Sequence, residues 1–289
     1  MWQVLFRVPG LGVPIFGYGL FLFFAFLFSM NLAAWRARRE HLDRDLILDM
    51  ALWMFVGGLV GARLFYVVQK WGTEVHDIVE AFQIWKGGIV FYGSIMGGAF
   101  AFFTYRALRP FPLRPYLDCV APAIAIGIAL GRVGCFLNGC CYGDRCDLPG
   151  LGVSFPAGTA PWAQQLAQGL ITNDAPYSLP VHPTQIYAAI DGLVLLGLLT
   201  AFYPLRKRDG EVMGLLMITY PISRFFIEYL RNDERAVAAG LTISQLISVG
   251  LLLGGLAYWA WLRTCPKTRW VDEHPPIARD VKSAQTAPA

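Results

Sequence analysis

Apolar residues run almost unbroken through seven stretches of this chain, at about 15–35, 46–69, 87–107, 116–137, 185–205, 211–230 and 241–262, and polar clusters separate them. A hydrocarbon layer about 30 Å thick needs roughly 20 mostly apolar residues when crossed as a helix. The pattern therefore predicts seven spanning helices, the second and third drawn least cleanly. The runs are continuous and much longer than the alternating strands of about ten residues that build a membrane barrel, which excludes that class. Most connections are short. The exception, about 138–183, is rich in glycine, proline and polar residues, and a loop of that length in a compact membrane protein is more often functional than idle. The expected class is all-α: a polytopic helical membrane protein with about seven transmembrane helices. It is expected as one domain over 1–265, with a disordered cytoplasmic tail over 266–289.

Composition agrees with that class. Of 289 residues 56% are hydrophobic and 15% charged, against about 25% charged in soluble domains. Basic residues collect on alternate connections. One side receives Arg36, Arg38, Arg39 and Arg44, then Arg106, Arg109 and Arg114, then Arg206, Lys207 and Arg208, and the C-terminal segment. The other side receives only Arg7, Lys70, Lys86, Arg145, Arg231 and Arg235. The richer side is read as cytoplasmic, which puts the N-terminus outside and the C-terminus inside. Met1 to Pro14 lacks the flanks of a signal peptide and is read as an amphipathic or loop segment on the membrane surface. The net charge of +4 comes mostly from these anchors and implies no nucleic-acid partner.

Three arginines stand inside apolar runs: Arg63 in "GGLVGAR", Arg132 in "GRVGCFLNGCCYG" and Arg224 in "SRFFIEYLRND". An arginine at the centre of a spanning helix costs at least about 2.5–3.5 kcal/mol, so each requires a partner, a wet cavity or a route to the interface. Arg224 and Glu228 share a helix face and Arg231 lies a turn further, which a structural ion pair explains in part. The planar guanidinium also suits bidentate binding of phosphate, and a lipid headgroup is the phosphate available at that depth. "GGLVGAR" and "GSIMGGAF" are small-residue faces of the kind that let membrane helices approach closely. Tyr18 and Tyr92 by themselves read as interfacial anchors. His182, before a proline, reads as a cap or a hydrogen-bonded residue. Four of six cysteines, Cys135, Cys140, Cys141 and Cys146, fall within twelve residues. A disulfide, small-residue packing, thiol chemistry and a metal site with non-standard spacing all stay open.

Taken together the motifs are recognisable. "GRVGCFLNGCCYG" resembles the signature of the bacterial prolipoprotein diacylglyceryl transferases. "FGYG" is similar to their first-helix motif, "GGIVFYGS" to a glycine-rich segment that in relatives carries a histidine, "HPTQIY" to a fourth motif and "SRFFIEYLRND" to a fifth. The resemblance extends in order over about 12–262. It implies transfer of the diacylglyceryl group of phosphatidylglycerol to the lipobox cysteine of prolipoproteins, with a thioether formed and glycerol phosphate released, at a multi-pass enzyme of the bacterial inner membrane. That is the first step of lipoprotein maturation. The implied partners are phosphatidylglycerol, prolipoprotein signal peptides and the bilayer, with no cofactor and no metal. It further implies that Arg132 and Arg224 meet the lipid phosphate, with Arg231 and Glu228 supporting them. Asn138 and Gly143 shape the loop, Tyr18 bonds the headgroup, His182 belongs to the substrate site, and Tyr92 occupies the place of the proposed base. The chain departs from the pattern at Tyr92, at Cys135 and Cys140, where relatives carry asparagine and glutamate, and at Ala188, where they carry glutamate. Two other readings stand beside this one: a catalytically altered paralogue, and an anion transporter using the buried arginines.

Overall fold

In a computed structural model the described residues are 4–7, 14–73, 75, 77–83, 88, 90–231 and 240–274. Helices occupy all seven apolar stretches: α1 (Gly17–Arg39), α2 (Arg44–Lys70), α4 (Phe91–Leu108), α5 (Leu113–Asn138), α7 (Thr184–Phe202), α8 (Glu211–Glu228) and α9 (Ile243–Thr264). Shorter helices are α3 (Ile78–Ala81), α6 (Ala160–Ala167) and α10 (Trp270–Glu273). Five helices are long and apolar enough to cross a membrane: α1, α2, α5, α7 with the 3-10 turn that follows it, and α9. The protein is a polytopic helical membrane protein. Lys86, Gly87, Arg235 and the tail beyond 274 lie outside the described residues.

The N-terminal segment holds an element that its apolar composition does not announce. Strands β1 (Val4–Arg7) and β2 (Pro14–Phe16) pair antiparallel, Val4 opposite Phe16 and Arg7 opposite Pro14. The two strands share one backbone ladder, where the sequence suggested an amphipathic or loop segment.

The chain forms two compact units, 34–116 and 1–33 with 117–289. In the smaller unit α2 and α4 pack through glycines. A Cβ on Gly97 would lie 2.8 Å from the Cα of Gly61, and one on Gly61 would lie 2.7 Å from the Cα of Gly97. These backbones meet because neither residue has a side chain, as the small-residue stripes predict. An apolar cleft of about 870 Å³ lies along the same pair, lined by residues such as Val60, Leu64, Met96 and Phe100. Arg63 is buried and fully employed here. Its Nε donates to the Ala81 carbonyl at 2.8 Å, Nη2 to Glu80 at 2.6 Å and Nη1 to Gly88 at 2.9 Å, and the group sits 5.1 Å from the Tyr66 ring. It clasps the C-terminal carbonyls of α3, where a cation complements the helix dipole. The sequence grouped Arg63 with a prospective anion site; the structure assigns it to backbone carbonyls.

In the larger unit α5, α7 and α8 enclose a core of Ala121, Ala125, Leu195, Leu199, Tyr203, Val212, Met213 and Leu216. Gly192 of α7 rests against the backbone of Ala125 and Ala129, and Gly255 of α9 against Met217. At the foot of this core the fully buried Asp118 accepts from the Gly210 amide at 2.8 Å, Val212 at 2.9 Å and Met213 at 3.1 Å. The first turn of α8 leaves its amides without intrahelical partners, so a carboxylate from α5 serves as its cap. Arg206 stands 3.4 Å from Asp118, is itself buried, and donates to the Tyr203 carbonyl at 3.0 Å. α9 carries its own capping box, Thr242 with Gln245. Beyond it, the Trp270 amide at the start of α10 donates to Asp209 at 2.7 Å.

Candidate active site

The signature segment folds as a helix end that doubles back. α5 stops at Asn138 because Gly139 takes φ +74°, where a side chain is unfavourable. The Cys140 amide then reaches the Cys135 carbonyl at 3.2 Å and the Gly139 amide reaches Phe136 at 3.2 Å. This pair of bonds is the Schellman arrangement that closes a helix C-terminus. The next residue but one, Cys141, also has positive φ, +59°, which is rare outside glycine and asparagine. The chain is held in that state from α7: the Thr184 hydroxyl donates to the Cys141 carbonyl at 2.8 Å and the Gln185 amide to Cys140 at 2.7 Å. Both side chains are buried.

Beyond the reversal, Gly143 knits three motifs together. Its amide donates to the His182 carbonyl at 2.8 Å, the Asp144 amide to Leu230 at 2.8 Å, and the His182 amide returns to Asp144 at 2.9 Å. A Cβ on Gly143 would stand 2.8 Å from both His182 Cβ and Thr184 Cγ2 and would collide with the Leu230 carbonyl. Gly143→Ala is therefore expected to push the loop off its seat. A displacement near 1 Å at such a site lowers turnover by about 10²-fold, and kcat of the purified variant checks it.

The long loop that follows is packed and hydrogen-bonded within itself. Phe155 is fully buried, its amide bonds Ser178, and the Gln165 side chain makes two bonds to the Leu179 backbone, at 2.7 and 3.3 Å. His182 contributes mainly backbone here, its ring Nδ1 lying 3.4 Å from the Tyr187 hydroxyl.

The charged residues gather around this frame. Arg224 forms an ion pair with the buried Glu228 and donates to the Ser244 hydroxyl at 3.1 Å. Arg231 stands 4.0 Å from the same carboxylate, and the Thr242 hydroxyl approaches it at 3.5 Å. Arg132, half-buried on the last turns of α5, has no hydrogen bond or ion pair among the described residues. Its guanidinium and that of Arg231 both act on Cys141, and that of Arg132 also acts on Tyr18. A Cβ on Gly134 would lie 3.4 Å from the Tyr18 ring and carbonyl, so α1 brings Tyr18 against the motif helix. Glu228 thus faces two guanidiniums, those of Arg224 and Arg231. The sequence's expectation of an ion pair at Arg224 and Glu228 holds.

All six cysteines are free thiols, and no disulfide joins Cys135 to Cys140. The Sγ atoms of Cys135, Cys140 and Cys141 lie within 4.8 Å of one another. Hydrogen bonds from Cys135 and Cys140, with Arg231 and Arg132 adding to them, hold the Cys141 thiol well below its ordinary range. Asn138 turns its amide onto Cys140.

Of the residues singled out in the sequence, Tyr18, Arg132, Asn138, Gly143, His182, Arg224, Glu228 and Arg231 all belong to the larger unit. Tyr92 lies in the smaller unit on the first turn of α4, with 57% of its surface exposed. Ala188 is buried and offers no carboxylate. The structure adds Thr184 and Gln185, which hold the cysteine turn and lie in "HPTQIY" immediately beside His182.

Comparison with known proteins gives a single answer. Residues 3–261 match the family model for prolipoprotein diacylglyceryl transferase. A phosphatidylglycerol–prolipoprotein diacylglyceryl transferase of Clostridium tetani is 33% identical over 261 residues, covering 89% of this chain and 96% of the relative. Those of Acaryochloris marina (32%, covering 92% and 93%) and Thermus thermophilus (33%, covering 82% and 90%) are similarly close.

Proposed function

The chain belongs to the prolipoprotein diacylglyceryl transferase family, a transferase that attaches the diacylglyceryl group of phosphatidylglycerol to prolipoproteins, and we propose that Arg132 is the residue around which this chain does so. The observation that carries the proposal is the half-buried Arg132 guanidinium, which has no hydrogen bond or ion pair among the described residues, on the last turns of the helix that ends in the signature motif.

Cleavage of the bond between the glyceryl carbon and the phosphate oxygen expels a phosphate whose charge grows in the transition state. A fixed guanidinium in a poorly hydrated site stabilises that charge without reorganising. Arg132 and Arg224 take the phosphate in this reading. Glu228 holds Arg224 and Arg231 in place, Tyr18 bonds the headgroup, and Asn138, Gly143 and His182 shape the seat. The attacking group is the thiol of the lipobox cysteine, which needs its proton removed because its ordinary pKa is about 8.5. Tyr92 is proposed to orient substrate or relay a proton, since a phenol titrating near about 10 is a weak base.

The fold is proposed to cross the membrane seven times, α4 and α8 joining the five longest helices, with the N-terminus outside and the tail cytoplasmic. The site then faces the outer side of a bacterial inner membrane, where exported prolipoproteins and phosphatidylglycerol meet. Purified protein mixed with phosphatidylglycerol and a lipobox peptide is expected to add one diacylglyceryl unit to the peptide, read by mass. A peptide left unchanged, under conditions where a histidine-bearing relative works, decides for the catalytically altered paralogue.

A further inference from the structure

The geometry points to a metal site: we propose that Cys135, Cys140 and Cys141 bind one zinc-class divalent cation whose fourth position is open to the acceptor thiol. This rests on the transferase reading for the role of the open position and on the structure alone for the site.

Three sulfurs from one turn converge to within 4.8 Å of one another. Tetrahedral zinc bonded to sulfur at about 2.3 Å sets its ligands about 3.8 Å apart, a closure of about 1 Å from that ceiling. Their convergence is enforced by the fold. Cys135 belongs to the final turn of α5, Gly139 reverses the chain, and Cys141 is kept in the left-handed region while Thr184 and Gln185 grip the carbonyls on either side. Strained backbone held by surrounding bonds marks positions where the arrangement itself is used.

The donor set indicates the metal class. Thiolates select soft and borderline cations such as zinc over magnesium or calcium. Among the described residues no fourth histidine, cysteine or carboxylate joins the three. Structural zinc sites are closed by four protein ligands, whereas three ligands and one open position are the catalytic form. Three thiolates and a divalent ion leave one negative charge, and Arg132 and Arg231 lie close enough to act on Cys141. Asn138 bonding Cys140 supplies the outer contact that orients a ligand.

The open position fits the chemistry that the family's reaction demands. A coordinated thiol is deprotonated outright, so the acceptor sulfur becomes a thiolate without a basic side chain at the cluster. Its proton leaves to water. The sulfur then bonds to the glyceryl carbon as the carbon–oxygen bond to phosphate breaks, the electron pair departing with glycerol phosphate. No oxidant or reductant takes part.

The test uses the reduced full-length protein in detergent, stripped and then loaded with zinc or cobalt(II). Zinc is expected to bind at about one per chain, and cobalt is expected to show thiolate-to-metal charge-transfer absorption. Cys141→Ser weakens binding about 10- to 100-fold, whereas Cys265→Ser leaves it unchanged. Chelation slows transfer to a lipobox peptide by about tenfold or more, and added zinc restores it. Reduced wild type that binds no zinc and gives no cobalt–thiolate absorption overturns the site, whatever its activity. A disulfide among the three in protein purified without reductant, persisting in active enzyme, overturns it too. Zinc bound at one per chain in protein that transfers nothing upholds the site and overturns the transferase reading instead.

Discussion

Arg132→Ala is expected to lower kcat/KM for diacylglyceryl transfer by about 10²–10³-fold, the loss typical when one preorganised donor to a developing oxyanion is removed. The fold is expected to survive, because Arg132 makes no hydrogen bond or ion pair among the described residues. Thermal unfolding in detergent therefore stays near the wild-type midpoint while turnover collapses. Arg132→Lys is expected to recover part of the rate, since it keeps the charge and loses the bidentate fork. Arg224→Ala differs in kind: it takes the nearest cation from the buried Glu228, so its lower activity comes with lower stability. Equal loss of midpoint in the two variants would show that Arg132 is structural.

Asp118→Ala is expected to cost about 3–5 kcal/mol, the penalty for leaving a buried charge without its partner. Three amides at the start of α8 lose their acceptor and Arg206 loses its counter-ion in one change. The thermal midpoint measures it, and pairing the change with Arg206→Met is expected to recover part of the loss. A midpoint unchanged in Asp118→Ala would mean that water or a neighbouring group replaces the carboxylate.

The helices were legible because burial in lipid demands long apolar runs, and each of the seven runs coincides with a helix. Arg132, Gly143 and Glu228 were legible through motifs whose glycines and charges have no place in an ordinary span. Asp118 was not. In the sequence it is one acidic residue near the start of an apolar run, and only the fold shows that α8 begins directly against it. Thr184 and Gln185 were visible within a recognised motif, yet nothing in it says that their partners are the carbonyls of Cys140 and Cys141, more than forty residues earlier. Arg63 looked equivalent to Arg132 because both follow glycine-rich apolar runs. What separates them is the short α3 that the chain folds against Arg63. The pairing of β1 with β2 was hidden because the strands are too short and too uniformly apolar to show an alternating period.

The Asp118 junction also works as a datum for height. It ties the beginning of α5 to the beginning of α8, so both helices climb away from one level. Fourteen residues separate Asp118 from Arg132 and thirteen separate Glu211 from Arg224; at about 1.5 Å per residue each arginine rises about 20 Å. Counted from that common floor, the backbones of the two arginines rise by similar amounts. A single residue inserted in either helix would raise one arginine by about 1.5 Å and swing it by about 100°, leaving the floor intact and the summit mismatched. The lengths of these two helices therefore set where the arginines stand as much as the residues at their ends do.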